Sequence, residues 1–188
     1  MAIRPIVITG DPVLHSAAAA VTAFDDELRT LVADMYETME RAPGVGLAAP
    51  QVGVPLRVFV YDYADEKGNH HRGEAINPVL LISPTPIGEA DPETESEGCL
   101  SVPGERFALR RADTAVMDAL DVKGEPFTIE AHGWFARVLQ HEFDHLNGVV
   151  YVDRLDFLQQ RRAVKAILKA GWGKPRLSWL PGVDDLEG

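Results

Sequence analysis

Gln140-His141-Glu142-Phe143-Asp144-His145-Leu146-Asn147-Gly148 contains the pattern H-E-x-x-H, whose spacing has a mechanical meaning on a helix. At about 100° per residue, His145 stands roughly 40° from His141 and one turn along, so both imidazoles can grip one ion. Glu142 lies roughly 60° from His145, near enough to reach a metal-bound water without ligating the metal. Working outward, the helix is predicted to start near His132 or Gly133 and to stop at Asn147-Gly148, where glycine suits the left-handed position after a helix. Phe135, Leu139, Phe143 and Leu146 fall on the side away from both histidines, which predicts a helix buried on most sides.

Two histidines leave a metal site incomplete. Downstream, the chain follows the longer pattern H-E-x-x-H-x-x-G-x-x-H through Gly148, but Tyr151 stands where its last histidine would be. No histidine or cysteine follows His145, so a zinc endopeptidase would have to draw on Asp153 or Asp156. Upstream stands the one cysteine, Cys99. A thiolate with two imidazoles suits Fe(II), Zn(II), Ni(II) or Co(II) and leaves a fourth position for water. A metal-binding or redox-sensing module with Cys99 as sensor is a third reading. Against it stands Glu142, which a mere metal holder does not need.

A chain of 188 residues that is 46% hydrophobic is long enough for one well-filled core. No apolar run reaches the length of a membrane span, and the N-terminus has the layout of neither a secretory signal nor a transit segment. A single cysteine excludes an intrachain disulfide, so the expected location is the cytoplasm. A net charge of −11 argues against DNA or general nucleic-acid binding. The charge is uneven: Arg154 to Ser178 holds Arg154, Arg161, Arg162, Lys165, Lys169, Lys174 and Arg176 against Asp156 alone. That segment is +6 and the remainder −17. It reads as a solvated helix face or as a docking surface for an anionic partner.

Ile3 to Val13 is apolar, broken by Pro5, Gly10 and Pro12, and is expected to run extended over the surface of the core. Asp25 can cap a first helix to about Arg41, with Leu28, Leu31, Val32, Met35 and Met39 as its core stripe. Gly44 to Gly53, with three glycines, Pro50 and the preceding Pro43, predicts no regular element. It matches no phosphate-loop pattern, and Gln51 is its only polar side chain. Strands are expected at Leu56 to Tyr63, Ile76 to Ile82 (interrupted near Pro78), Thr114 to Leu120 and Phe127 to Ala131, with a turn at Asp65 to His71. Residues 83 to 97, with three prolines and Glu89, Asp91, Glu93, Glu95 and Glu97, read as a polar loop or irregular edge. A last helix from about Leu155 to Ala170 carries Leu158, Ala163, Ile167 and the basic residues, and Leu177 to Pro181 can pack back on the body. The fold class is α+β, with antiparallel or mixed sheets packed around the central H-E-x-x-H helix between an N-terminal and a C-terminal helix.

Gly44-Val45-Gly46-Leu47-Ala48-Ala49-Pro50-Gln51, Glu97-Gly98-Cys99-Leu100-Ser101 and Gln140-His141-Glu142-Phe143-Asp144-His145 resemble, in this order, the three motifs of the peptide deformylase family. The similarity runs from the N-terminal segment to about the last helix and leaves the tail after Gly171 outside. The resemblance implies one catalytic domain over residues 1–188 and a hydrolase that removes the formyl group, as formate, from the N-terminal formyl-methionine of new polypeptides. It implies one divalent ion, Fe(II) in the cell, on Cys99, His141 and His145. Metal-bound water or hydroxide would attack the formyl carbon, with Glu142 as general base and then acid. Gln51 and the Leu100 backbone N–H would be the oxyanion donors. Val45, Gly46 and Gly98 would lie beside the substrate backbone and Arg106 near the entrance. Nascent-chain substrates make the ribosome the expected partner of the Arg154–Ser178 segment. Asp144 is expected to pair with an arginine such as Arg137, or else to orient a ligand histidine.

Overall fold

The computed structural model describes residues 2–65, 67–184 and 186; Met1, Glu66 and the tail residues Asp185, Glu187 and Gly188 lie outside this description. In chain order the elements are β1 (Ile6–Val7), α1 (Asp26–Arg41), β2 (Gly46–Ala48), β3 (Val58–Ala64), β4 (His70–Ile82), β5 (Ser96–Cys99) and β6 (Val102–Ala108). There follow β7 (Thr114–Leu120), β8 (Pro126–His132), α2 (Gly133–Leu146), α3 (Phe157–Lys169) and β9 (Ser178–Trp179). This is a mixed α+β architecture whose strand pairs are antiparallel. Among the described residues no helix is long and apolar enough to cross a membrane.

Five strands form the main sheet in the order β2-β3-β4-β7-β8, and two separate two-stranded sheets, β5-β6 and β1-β9, complete the strand pairing. α1 begins where the Asp25 carboxylate accepts from the N–H groups of Glu27 and Leu28, and its predicted stripe is buried in full. α2 is 14 residues long, a length that is marginal for an isolated helix in water. Tertiary packing holds it: Phe135, Ala136, Val138, Leu139 and Leu146 meet Phe59, Tyr61, Ala75, Ala115 and Met117 from the sheet. Full burial of a Leu or Phe side chain contributes about 1.5–3 kcal/mol, so this one face outweighs the weak propensity of the segment. The helix ends at Asn147, and Gly148 follows in the left-handed region at φ +72°, as its position predicts.

Four expectations need correcting. Residues 46–52 are regular after all: β2 pairs with β3, and Ala49–Val52 makes a 3-10 turn, because small residues let this edge lie close to its neighbours. The acidic loop ends earlier than expected, since Ser96–Cys99 is a strand paired with β6; Glu and Gly there are poor strand formers and hid it. His70 and His71 belong to β4 rather than to a turn, whereas the interruption expected near Pro78 is present as a register shift between Ile76 and Val79. The N-terminal segment does not merely wrap the surface: Ile6 and Ile8 are buried in the core beside Trp179. In α3, capped by Asp156, Ala163 is buried but Leu158 is exposed.

Candidate metal centre and its pocket

Strand β5 and helix α2 bring three donor atoms together. Cys99 Sγ lies 3.3 Å from His145 Nε2, which lies 3.2 Å from His141 Nε2. A cysteine sulfur and two imidazoles within 4.8 Å of one another are the only such group of metal-binding side chains among the described residues. Ligands held at about 2.0–2.3 Å by a tetrahedral ion stand about 3.3–3.6 Å apart, close to these spacings. Tautomer and field agree with a cation at this point. His141 Nδ1 is committed to the Glu97 carboxylate at 2.6 Å, which turns the lone pair of Nε2 toward Cys99 and His145. Burial works to lower the pKa of His141, yet Cys99 and Glu97 outweigh it and raise it well above an ordinary histidine, so positive charge is favoured there. Burial and the nearby His141 and Arg111 charges push His145 the other way. The donor set therefore fits one divalent ion.

Asp153 and Asp156 do not join this group. The Asp153 carboxylate accepts from the Val150 N–H, and that of Asp156 caps α3. Tyr151, at the place of the missing downstream histidine, packs its ring 5.9 Å from that of His141 and donates its hydroxyl to the Glu105 carbonyl. The ligand geometry of the endopeptidase reading is thus not what this chain builds.

Glu97, the first residue of the second motif and given no role of its own by the sequence, is bound directly to His141. Besides His141 Nδ1, its carboxylate accepts from Arg111 Nε and Nη2 at 3.1 and 2.6 Å and from Arg137 Nη1 at 3.0 Å. Burial alone would raise its pKa, but Arg111 and His141 hold it well below the usual carboxylate range. Arg111 reaches on to Asp144 at 2.6 Å, and Asp144 also accepts from Arg154 Nε and Nη2 at 2.5 Å each. The expected partner Arg137 is wrong for Asp144: Arg137 turns to Glu97, to the Leu109 carbonyl and to Glu95. The usable signal was the second motif, which begins at Glu97; the alternation that puts Glu97 on the same face as Cys99 was hidden along with the strand.

Beside the donors opens a cavity of about 200 Å³ lined by Gly44, Val45, Gly46, Gln51, Gly98, Cys99, Leu100, Arg106, Trp134, Val138, His141 and Glu142 among others. All the residues that the family resemblance assigns to the site except His145 therefore border one space. β2 is an edge strand of the main sheet and β5 has β6 as its partner, so two strand edges flank the cavity. Glu142 is 4% exposed, its Oε2 has no hydrogen-bond partner among the described residues, and burial pushes its pKa up to about 7. Its carboxylate occupies the space a side chain at position 46 would need, and the Leu100 side chain does the same at Gly44. Gln51 is held by its own carbonyl, which accepts from the Ala48 N–H at 2.8 Å. Its amide nitrogen then faces Cys99 Sγ at 3.6 Å and Ser101 Oγ at 3.3 Å. Arg106, exposed at the rim, lies across from Gly98 and covers it.

Residues 3–161 match the family model described as polypeptide deformylase. A peptide deformylase of Mycolicibacterium paratuberculosis is 52% identical to this chain, over 97% of the chain and 96% of its own length. Peptide deformylase 2 of Corynebacterium efficiens is also 52% identical, over 98% and 96%. The crystal structure of a peptide deformylase from Legionella pneumophila superposes with a TM-score of 0.78 at 42% identity, covering 90% of this chain and 96% of the other. That of the Ehrlichia chaffeensis peptide deformylase in complex with actinonin gives 0.78 at 35% identity, covering 90% and 98%.

Replacing Glu97 by Gln leaves Arg111 and Arg137 short of a buried countercharge and takes the anion from His141. Metal affinity is expected to fall about 10–100-fold, and the folded state to lose about 3–5 kcal/mol. Chelator competition and urea unfolding read the two effects; wild-type metal affinity would remove Glu97 from the support of His141.

Proposed function

The chain belongs to the polypeptide deformylase family, whose members are single-metal enzymes, and we propose that it hydrolyses the N-formyl group of formyl-methionine at the start of newly synthesised polypeptides, releasing formate. The observation that carries this reading is the convergence of Cys99, His141 and His145 on one point beside the buried, unpaired Glu142 oxygen. Held there, a divalent ion, Fe(II) in the cell, with Zn(II), Ni(II) and Co(II) suited to the same donors, would acidify a water and polarise the formyl oxygen.

The rest of the work falls to side chains of this chain. Glu142, with its pKa near 7, can accept the proton of the attacking water and return it to the departing amine, since a base works best near the operating pH. The Gln51 amide and the Leu100 backbone N–H donate to the oxyanion that forms at the formyl carbon. Gln51 suits that role because its carbonyl end is already anchored on Ala48. Val45 and Gly46 on one side and Gly98 on the other receive the substrate backbone as an added strand. The walls of Trp134 and Val138 receive the methionine side chain, and Arg106 stands at the entrance. In this reading the whole chain works as one catalytic domain, in the cytoplasm where its substrates are made.

The last helix supports a second contact in the same setting. Arg161, Arg162, Lys165 and Lys169 are all exposed on α3, whereas Arg154, also exposed, is paired with the buried Asp144. Docking of this face on ribosomal RNA or protein would bring the pocket to nascent chains.

Metal analysis of anaerobically purified protein, paired with formate release from a formyl-Met peptide, tests the central reading. One equivalent of iron and stoichiometric formate are expected; cleavage of an internal peptide bond without formate would overturn it. Glu142→Ala is expected to keep bound metal and lose nearly all turnover. Gln51→Ala should lower kcat by about 10²–10³-fold; a variant within threefold of wild type would remove Gln51 from the oxyanion site. Charge reversal at Arg161, Arg162 and Lys165 is expected to abolish a steeply salt-dependent binding to ribosomes, and unaltered binding would refute the docking surface.

A further inference from the structure

The segment after α3 lies beyond the residues that match the family model, yet it reaches the metal pocket from behind. Ser178 and Trp179 pair with Val7 and Ile6. The Ile8 N–H donates to the Leu177 carbonyl at 2.9 Å, the Gly173 N–H to the Thr9 carbonyl at 3.1 Å, and the Arg176 N–H to Asp11 at 2.8 Å. The two ends of the chain thereby form one ribbon. Its inner side grips residues 100 and 101: the Trp179 indole N–H donates to the Leu100 carbonyl at 2.9 Å, and the Thr9 N–H to the Ser101 carbonyl at 2.8 Å. Trp179 is 3% exposed and packs with Ile6 and Leu100 in the same core cluster.

We infer that Trp179 is a positioning residue of the active site, its indole N–H holding the Leu100 carbonyl so that the Leu100 backbone N–H stays aimed into the pocket. The inference rests on the deformylase reading, in which that N–H is an oxyanion donor. A planar peptide unit can be aimed only by fixing the torsions on either side of it. On one side the Cys99 sulfur is tied to the two histidines; on the other, Leu100 is fixed through its own carbonyl. A buried carbonyl must find a donor, and an indole N–H can only donate. The Trp179–Leu100 contact therefore has one sense and locks one orientation. The Gln51 amide, in contact with Ser101 Oγ, lies on the other side of the same short segment, so the ribbon also fixes the wall on which Gln51 rests.

Trp179→Phe removes the N–H and keeps an aromatic ring in the core. We expect kcat on a formyl-Met peptide to fall about tenfold, less than the loss of a donor itself, with KM within twofold and metal content unchanged. A merely structural role would instead lower thermal stability and the metal-loaded fraction, leaving kcat per metal-loaded molecule within threefold of wild type; that result overturns the inference. Should the variant fail to fold, hydrogen exchange in the ¹⁵N-labelled wild-type holoprotein decides. The Trp179 indole proton is expected to be strongly protected, and exchange at the rate of a solvated indole would overturn the clamp. A wild-type protein that releases no formate would overturn the deformylase reading, while the indole exchange still reports on the clamp by itself.

Discussion

The Glu97 carboxylate joins the two elements that carry the metal-binding side chains. It stands on β5, two residues before Cys99, and accepts from His141 on α2 and from Arg111 and Arg137. Each of these charges would cost several kcal/mol if it were buried alone. Together they are mutually compensated, and the compensation holds only while β5 lies against α2 at this spacing. The distance between Cys99 and the histidines is thus maintained by a charge network rather than by the donors themselves, which would otherwise have to be gathered at the expense of metal affinity. Asp144 extends the network from Arg111 to Arg154, just ahead of α3, so the helix end is tied to the same lattice of charges.

Around this network the pocket is shaped by what is missing from two residues. The Glu142 carboxylate fills the place of a side chain at Gly46, and the Leu100 side chain that at Gly44. β2 can therefore approach α2 and the Leu100 turn closely enough for one cavity to border a strand edge, a buried carboxyl group and the Cys99 sulfur at once. Small residues here act as space rather than as flexibility, and a methyl group at position 46 would displace the carboxylate from the donors.

The parts of this arrangement that are local in sequence were legible there. The period of α1, its capping residue Asp25, and the extent of α2 and its two faces all follow from rules that act within a few turns. Cys99, Gln51 and the histidines were found because their chemistry is distinctive in its surroundings. What escaped was long-range or disguised. Glu97 looks like one more acid in an acidic loop, and its strand contains a glycine, so neither propensity nor composition marks it. Asp144 lies three residues from His141, and a nearby arginine was the natural partner; the real ones, Arg111 and Arg154, come from segments that only the tertiary fold brings close. The tail was read as packing material because an indole N–H bound to a distant carbonyl leaves no pattern in the chain.

Glu97 and Glu142 separate the two tasks a carboxylate can perform in such a site. Both are almost wholly buried, and burial raises the pKa of each. Glu97 is surrounded by two guanidinium groups and an imidazole, so it remains an anion and cannot carry a proton. Glu142 has the weaker help of His141, is opposed by the negative charges of Glu97 and Asp144, and settles near 7. The permanent charge of the first helps keep the second protonatable, a division of roles set by environment in otherwise identical side chains. A carboxylate held as an anion and one that can bind a proton near neutrality thus stand in the field of the same histidine, and it is Arg111 that does most to keep Glu97 charged.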